Sequence, residues 1–145
     1  MSEDALDRAI EVYRRLQLHH ARLTHELASA RGVNHTDLRF LFYLAVQPDG
    51  GILPKTATRY LGLSTGATTS LVDRLADRGL VRRVPNPDDR RSVYVTITDD
   101  GSVMVADVKD MFRDAFATAI PADRMEDFTT MLAAVDDALV ARSTD

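Results

Sequence analysis

The run from Leu61 to Gly101, LGLSTGATTSLVDRLADRGLVRRVPNPDDRRSVYVTITDDG, constrains this chain more than any other part of it. Ser64 follows an apolar residue and precedes a stretch with helical spacing, so its hydroxyl is placed to accept a hydrogen bond from an orphan backbone N–H at a helix start. Ala67, Leu71, Val72 and Leu75 recur at three- and four-residue steps and are expected to form one buried face. Thr65, Gly66, Thr69, Ser70 and Asp73 then point outward. Gly79 ends the helix, since glycine adopts the left-handed conformation at little cost.

Beyond Gly79 the period changes. Leu80 to Val84 suits a short strand, and Val93 to Thr98 alternates through β-branched and aromatic residues. The intervening PNPDDRR contains two prolines and cannot continue either ladder, so it forms the loop of a hairpin. Helix, glycine stop and hairpin come in the order of a winged helix-turn-helix. In that arrangement a recognition helix enters the major groove of DNA and the hairpin, the wing, lies beside it. The outward helix face is short and polar, and the methyls of Ala67 and the threonines suit contact with the thymine methyl. Arg90 and Arg91 at the wing tip suit a narrow, negative minor groove, because arginine is always charged and weakly hydrated. Asp89 beside them is expected to orient a guanidinium by a charge-assisted hydrogen bond.

The same residues resemble the multiple antibiotic resistance regulator (MarR) family of bacterial transcription factors. The matching pattern is LS-x-G-x-x-T-x-LVDRL-x-x-x-GLV-x-R, followed by NP-x-DRR-x-x-x-V-x-I-T. The resemblance implies a homodimeric, sequence-specific DNA-binding regulator, a repressor of a pseudo-palindromic operator. It implies DNA contacts from Ser64, Thr65, Gly66, Ala67, Thr69, Ser70 and Arg74 on the recognition helix. From the wing it implies Arg91 as the minor-groove arginine, Arg90 as its neighbour on the backbone and Asp89 as the orienting acid. The chain departs from many relatives at Ser70, where they carry arginine, and at Thr68, where they carry an aliphatic residue.

Charge is distributed to match. The net charge is −4, which argues against indiscriminate nucleic-acid binding. Residues 55–100 carry eight basic and six acidic groups, whereas residues 101–145 carry four and nine. The positive lobe coincides with the DNA-reading segment. No run approaches the roughly 18 apolar residues of a membrane span, and the acidic N-terminus is unlike a signal peptide, so the expected location is cytoplasmic, away from membranes. There is no cysteine, hence no disulfide framework and no thiolate zinc site. By resemblance, the lack of cysteine also excludes the oxidation-sensing branch of the family.

Elsewhere the chain reads as helices. Leu6, Ile10, Tyr13, Leu16, His20, Leu23 and Leu27 make the stripe of one long amphipathic helix closed near Gly32. Asn34 caps a second, with Asp37 in the manner of a capping box and Leu38, Leu41, Phe42 and Leu44 facing inward. Residues 47–51 form a turn, and Ile52-Leu53 adds a short strand to the hairpin. Pro54 opens a helix to Leu61, with Gly62-Leu63 as the turn before Ser64. Thr98 caps a long helix carrying Met104, Val108, Phe112, Ala115 and Ala119. Pro121 opens the last helix, with Met125, Phe128, Leu132, Val135 and Leu139 at heptad-like spacing. The fold class is thus mostly α with a small β-wing. Residues 1–34 form an N-terminal dimerisation helix, 35–100 the winged lobe and 101–145 the C-terminal dimerisation helices. Interleaved around a twofold axis, the terminal stripes bury one another. Such a dimer presents two recognition helices about 34–36 Å apart.

Sites of other chemistry are sparse. His19, His20, His25 and His35 lack the companions of a zinc constellation, so no metal and no cofactor is expected. There is no P-loop, GxSxG, dinucleotide fingerprint or HExxH, so no enzyme is expected. By resemblance, a small aromatic or phenolic acid is an expected effector, with His20, Arg39, Tyr43 and Phe112 as candidate ligands to it. An alternative remains: a winged helix that docks proteins and does not bind DNA sequence-specifically. Arginines at the wing tip favour the DNA reading over it.

Overall fold

The computed structural model describes residues 3–47, 51–86, 88–89 and 91–143. The elements run α1 (Glu3–Ala30), α2 (His35–Ala45), β1 (Gly51–Ile52), α3 (Pro54–Leu61), α4 (Thr65–Asp77), β2 (Val81–Pro85), β3 (Val93–Ile97), α5 (Asp99–Ala119) and α6 (Met125–Ser143). A 3₁₀ turn, Ala122–Arg124, precedes α6. They group into two compact units, Met1–Ala106 and Asp107–Asp145.

In the first unit the helix ends follow local chemistry. Asn34 Oδ1 accepts from the Asp37 N–H at 2.8 Å and starts α2. Pro54 sits in the first turn of α3, and Gly62 closes it with φ 65°. Gly79, at φ 70°, closes α4: its own N–H reaches the Ala76 carbonyl, and the Leu80 N–H reaches the Leu75 carbonyl. That pair of bonds satisfies two carbonyls that a helix end leaves open. The sheet is antiparallel with strand order β1-β3-β2, and Val81 pairs with Ile97 and Pro85 with Val93.

The core lies where α2, α3 and α4 meet the sheet. Leu38, Phe40, Leu41 and Leu44 of α2, Ala57 and Leu61 of α3, and Leu71, Val72 and Leu75 of α4 are buried together with Val95. Two expected inward positions are corrected. Phe40, not Phe42, is fully buried on α2, and Thr68, not Ala67, is buried on α4. Thr68 tolerates burial because its hydroxyl donates to the Ser64 carbonyl (3.0 Å) and accepts from the Thr58 hydroxyl (3.1 Å). Boundaries shift slightly as well. β2 starts one residue after Leu80, β1 is Gly51–Ile52 with Leu53 capping α3, and Pro121 starts the 3₁₀ turn rather than the helix proper. Residues 48–50 of the expected turn lie outside the described residues.

The start of α5 is fastened to the end of α4. Thr98 Oγ1 accepts from the Gly101 N–H at 3.1 Å and donates to the Gly79 carbonyl at 2.6 Å, while the Thr98 N–H donates to the Leu80 carbonyl. Gly101 makes the approach possible, since a Cβ there would stand 2.2 Å from the Leu80 carbonyl oxygen.

α1 is buried only near its C-terminal end, at Thr24, Leu27 and Ala28. Leu6, Ile10 and Leu16 stand exposed on the remainder. In the second unit Phe116 and Phe128 meet edge-on at 5.9 Å, and Met131, Leu132, Val135, Leu139 and Val140 of α6 are exposed. No helix among the described residues is long and apolar enough to cross a membrane.

Candidate nucleic-acid interface

α4 presents a capped, largely unencumbered front. Ser64 Oγ accepts from the Ala67 N–H at 3.2 Å, as its place before the helix required. Ser64, Thr65, Gly66, Ala67, Thr69 and Ser70 are all exposed. Thr69 donates back to the Thr65 carbonyl at 2.9 Å. Gly66 faces open space: a Cβ built on it meets nothing within 4 Å. Nothing inside the chain therefore demands glycine there, although glycine costs a helix interior roughly 1 kcal/mol relative to alanine.

Behind that front, charged side chains fix the helix. Arg74 donates to Asp37 Oδ1 at 2.7 Å and to Oδ2 at 3.4 Å, joining α4 to α2. The Asp37 side chain is only 5% exposed, that of Arg74 49%. The bond to Asp37 raises the Arg74 pKa above its ordinary value, against the opposing effect of desolvation. Asp37 thus faces a partner across the lobe instead of completing the capping box. Arg83 on β2 donates to Asp73 at 2.6 Å and ties the wing to α4. Arg78, just past α4, donates to the Arg31 carbonyl at 2.8 Å and to the Gly32 carbonyl. Sequence reading missed all three pairings, because each joins segments that look unrelated along the chain.

The hairpin neck is held by Asn86, which is buried. Its Nδ2 donates to Ser92 Oγ at 2.8 Å and its Oδ1 accepts from the Asp88 N–H at 2.9 Å. The carboxylate of Asp89, the expected orienting acid, accepts the backbone N–H of Arg91 at 2.9 Å. Short acids commonly make this bond two residues on, and it sets the turn. The exposed Arg91 guanidinium makes no ion pair with a described residue. Arg90 lies outside the described residues. On α3, Lys55 and Arg59 are exposed and have no ion-pair partner among the described residues. The sequence reading missed them, although two basic residues on the helix before the turn are a signal for phosphate contact.

Of the four residues considered for an effector, two come together. Tyr43 stacks on Tyr60 with ring centroids 3.7 Å apart, and Arg39 lies over the Tyr60 ring at 5.7 Å while donating to the Leu61 carbonyl at 3.0 Å. His20 is exposed on α1, where its carbonyl accepts from Thr24. Phe112 belongs to the second unit. Among the described residues no three His, Asp or Glu side chains gather to hold a metal ion.

Residues 31–92, the span that holds α2 to α4, β2 and the loop of the wing, match the MarR family model. This segment is similar to the MarR family. Over 69 residues it is 35% identical to the multiple antibiotic resistance protein MarR of Salmonella typhimurium, which is 48% of each chain. It thus spans about half the length of that relative. Over 105 residues it is 32% identical to the uncharacterized HTH-type transcriptional regulator YcgE of Bacillus subtilis, covering 72% of this chain and 65% of that one. Among solved structures, the MepR–DNA complex of S. aureus superposes with a TM-score of 0.64 over 86% of this chain and 98% of that one, at 16% identity. At that identity the likeness shows the fold, a MarR-type winged helix-turn-helix.

Proposed function

We propose that this chain is a MarR-family regulator, a homodimeric, sequence-specific DNA-binding protein that acts as a transcriptional repressor in the cytoplasm. The observation that carries the reading is the front of α4. It is a capped helix end with small polar side chains and an open glycine, braced from behind by Asp37–Arg74 and Asp73–Arg83. A surface built only for solubility gains nothing from glycine there; a surface that must approach base edges closely does. α4 enters the major groove through Ser64, Thr65, Gly66, Ala67, Thr69 and Ser70, and Arg91 enters the flanking minor groove with Arg90 beside it. Lys55 and Arg59 on α3 contact the phosphates, as the first helix of such a motif does. Arg74 serves chiefly by aiming α4. DNA-bound MepR, which shares the fold, supports the reading by analogy.

The division of labour follows the exposed apolar side chains. Residues 1–34 and 101–145 supply the dimerisation helices and 35–100 the DNA-binding lobe, and the dimer recognises a pseudo-palindromic operator. A small aromatic acid near Arg39 and Tyr43 releases the DNA by favouring a different spacing of the two lobes. Suppressing binding a hundredfold needs about 2.7 kcal/mol of coupling, and operator must weaken the acid by the same factor.

Footprinting on the DNA flanking the chain's own gene, across a salt series, tests the core of this reading. A protected pseudo-palindrome whose affinity falls steeply with salt supports it. Uniform, sequence-independent protection overturns it. Titrating salicylate-like acids with and without operator tests the effector: equal affinity in the two titrations removes it.

A further inference from the structure

We propose that α4 reads its site chiefly through the C5-methyl groups of thymines, so that the half-site in the major groove is marked by thymines and not by a guanine paired with arginine. This rests on α4 being the recognition helix. Direct readout in the major groove has a short vocabulary: Arg or Lys paired to guanine O6 and N7, Asn or Gln paired to adenine N6 and N7, an acid accepting from cytosine N4, single hydrogen bonds from Ser or Thr that discriminate less, and apolar contact with the thymine methyl. α4 contains no Lys, Asn or Gln. Its one arginine, Arg74, is held by both oxygens of a buried Asp37. Arg78, next along the chain, is engaged by two carbonyls at the end of α1, and Arg83 by Asp73. That last pairing also engages the acid best placed to read a cytosine.

What remains on the front is methyls and small hydroxyls. Ala67 offers only a methyl. The Thr69 hydroxyl donates its proton to the Thr65 carbonyl at 2.9 Å, so it has no donor left for a base and offers its methyl and a hydroxyl acceptor. Gly66 leaves open space beside them, which lets the helix backbone come close enough for methyl-to-methyl contact. None of these groups can form a two-point hydrogen bond to a purine. The C5-methyl also distinguishes T·A from A·T in the major groove, so such a surface reads sequence and not merely composition.

The experiment selects duplexes from a random library with the purified full chain and then edits the best one. Replacing half-site thymines by deoxyuridine removes only the C5-methyl. The expected loss is about fourfold for each contacted methyl, the factor that ~0.8 kcal/mol represents. Replacing guanines by 7-deazaguanine, which removes the N7 acceptor, should change affinity by less than about twofold. Thr69→Ser, which deletes the methyl and keeps the hydroxyl, should match the deoxyuridine loss on the parent duplex and add nothing to it on the edited one. Undiminished binding to the deoxyuridine duplex, or a larger loss with 7-deazaguanine, overturns the proposal while leaving the recognition-helix reading intact. Failure of the library to enrich any sequence overturns both.

Discussion

Arg74 on α4 grips Asp37 on α2 through two hydrogen bonds, of 2.7 and 3.4 Å, across 37 residues of chain. The acid is buried and the arginine half-exposed, so the two halves of the pair are not equivalent. Arg74→Ala strands a buried carboxylate and is expected to lower stability by roughly 1–3 kcal/mol, less than the loss of a fully buried pair because solvent reaches the guanidinium. Asp37→Ala frees an arginine that water can solvate and should cost less. Urea unfolding of both single variants and the double variant checks this; equal single-site losses that simply add refute the coupling.

Gly66→Ala should stabilise the fold and harm DNA binding. The new methyl meets nothing within the chain, and the helix gains roughly 0.5–1 kcal/mol from the better helix former. The same methyl stands between the helix backbone and the groove. Melting temperature and operator affinity are expected to move in opposite directions. If both rise, the front of α4 is not the approach surface.

Gly101→Ala should be among the most damaging single-methyl additions. Its Cβ would overlap the Leu80 carbonyl and press on Ile97, both rigid parts of the lobe. A loss of about 1–3 kcal/mol or more is expected. Thr98→Ala, which removes the α5 cap and the bond to Gly79, should cost about 1 kcal/mol. Denaturant midpoints measure both, and an unchanged Gly101→Ala midpoint contradicts the close approach.

Arg91→Ala should weaken operator binding by roughly 1–3 kcal/mol, more so with A·T-rich flanks, and Arg90→Ala by less. Since the Arg91 guanidinium has no ion pair with a described residue, folding stability should not change. Matching losses for both variants on every flank point to simple phosphate contacts.

Assembly is open to light scattering. The intact chain is expected to be a dimer. Removing residues 129–145, and with them the exposed Leu132, Val135 and Leu139, should give monomers or aggregates. A well-folded dimer from the truncated chain rules the α6 stripe out of the interface.

Local signals were the most legible. Asn34, Pro54, Gly62, Ser64, Gly79 and Thr98 each mark a helix boundary, because capping chemistry acts within four residues and is written in adjacent letters. The hairpin announced itself through its change of period. Burial on α2 and α4 was less secure. One residue turns a helix by about 100°, so Phe40 and Phe42 flank Leu41 on opposite edges of its stripe, and the local pattern does not say which edge turns inward; Ala67 and Thr68 likewise lie about 100° apart. The pairings of Arg74, Arg78 and Arg83 were not legible, since one sequence carries no record of which distant residues meet. Asp37 shows the consequence: beside a helix start it looks like a capping acid, and only tertiary contact makes it the seat of Arg74.

The Arg78 anchor at the end of α1 has a mechanical corollary. Beyond its few buried residues α1 continues as a rod, and 28 helical residues extend roughly 40 Å. A rod of that length anchored at one end is a lever of low gain. A displacement of about 1 Å at its free tip tilts the anchored end by only about 1.4°. Only a shift of several ångströms at the tip therefore tilts the anchored end appreciably.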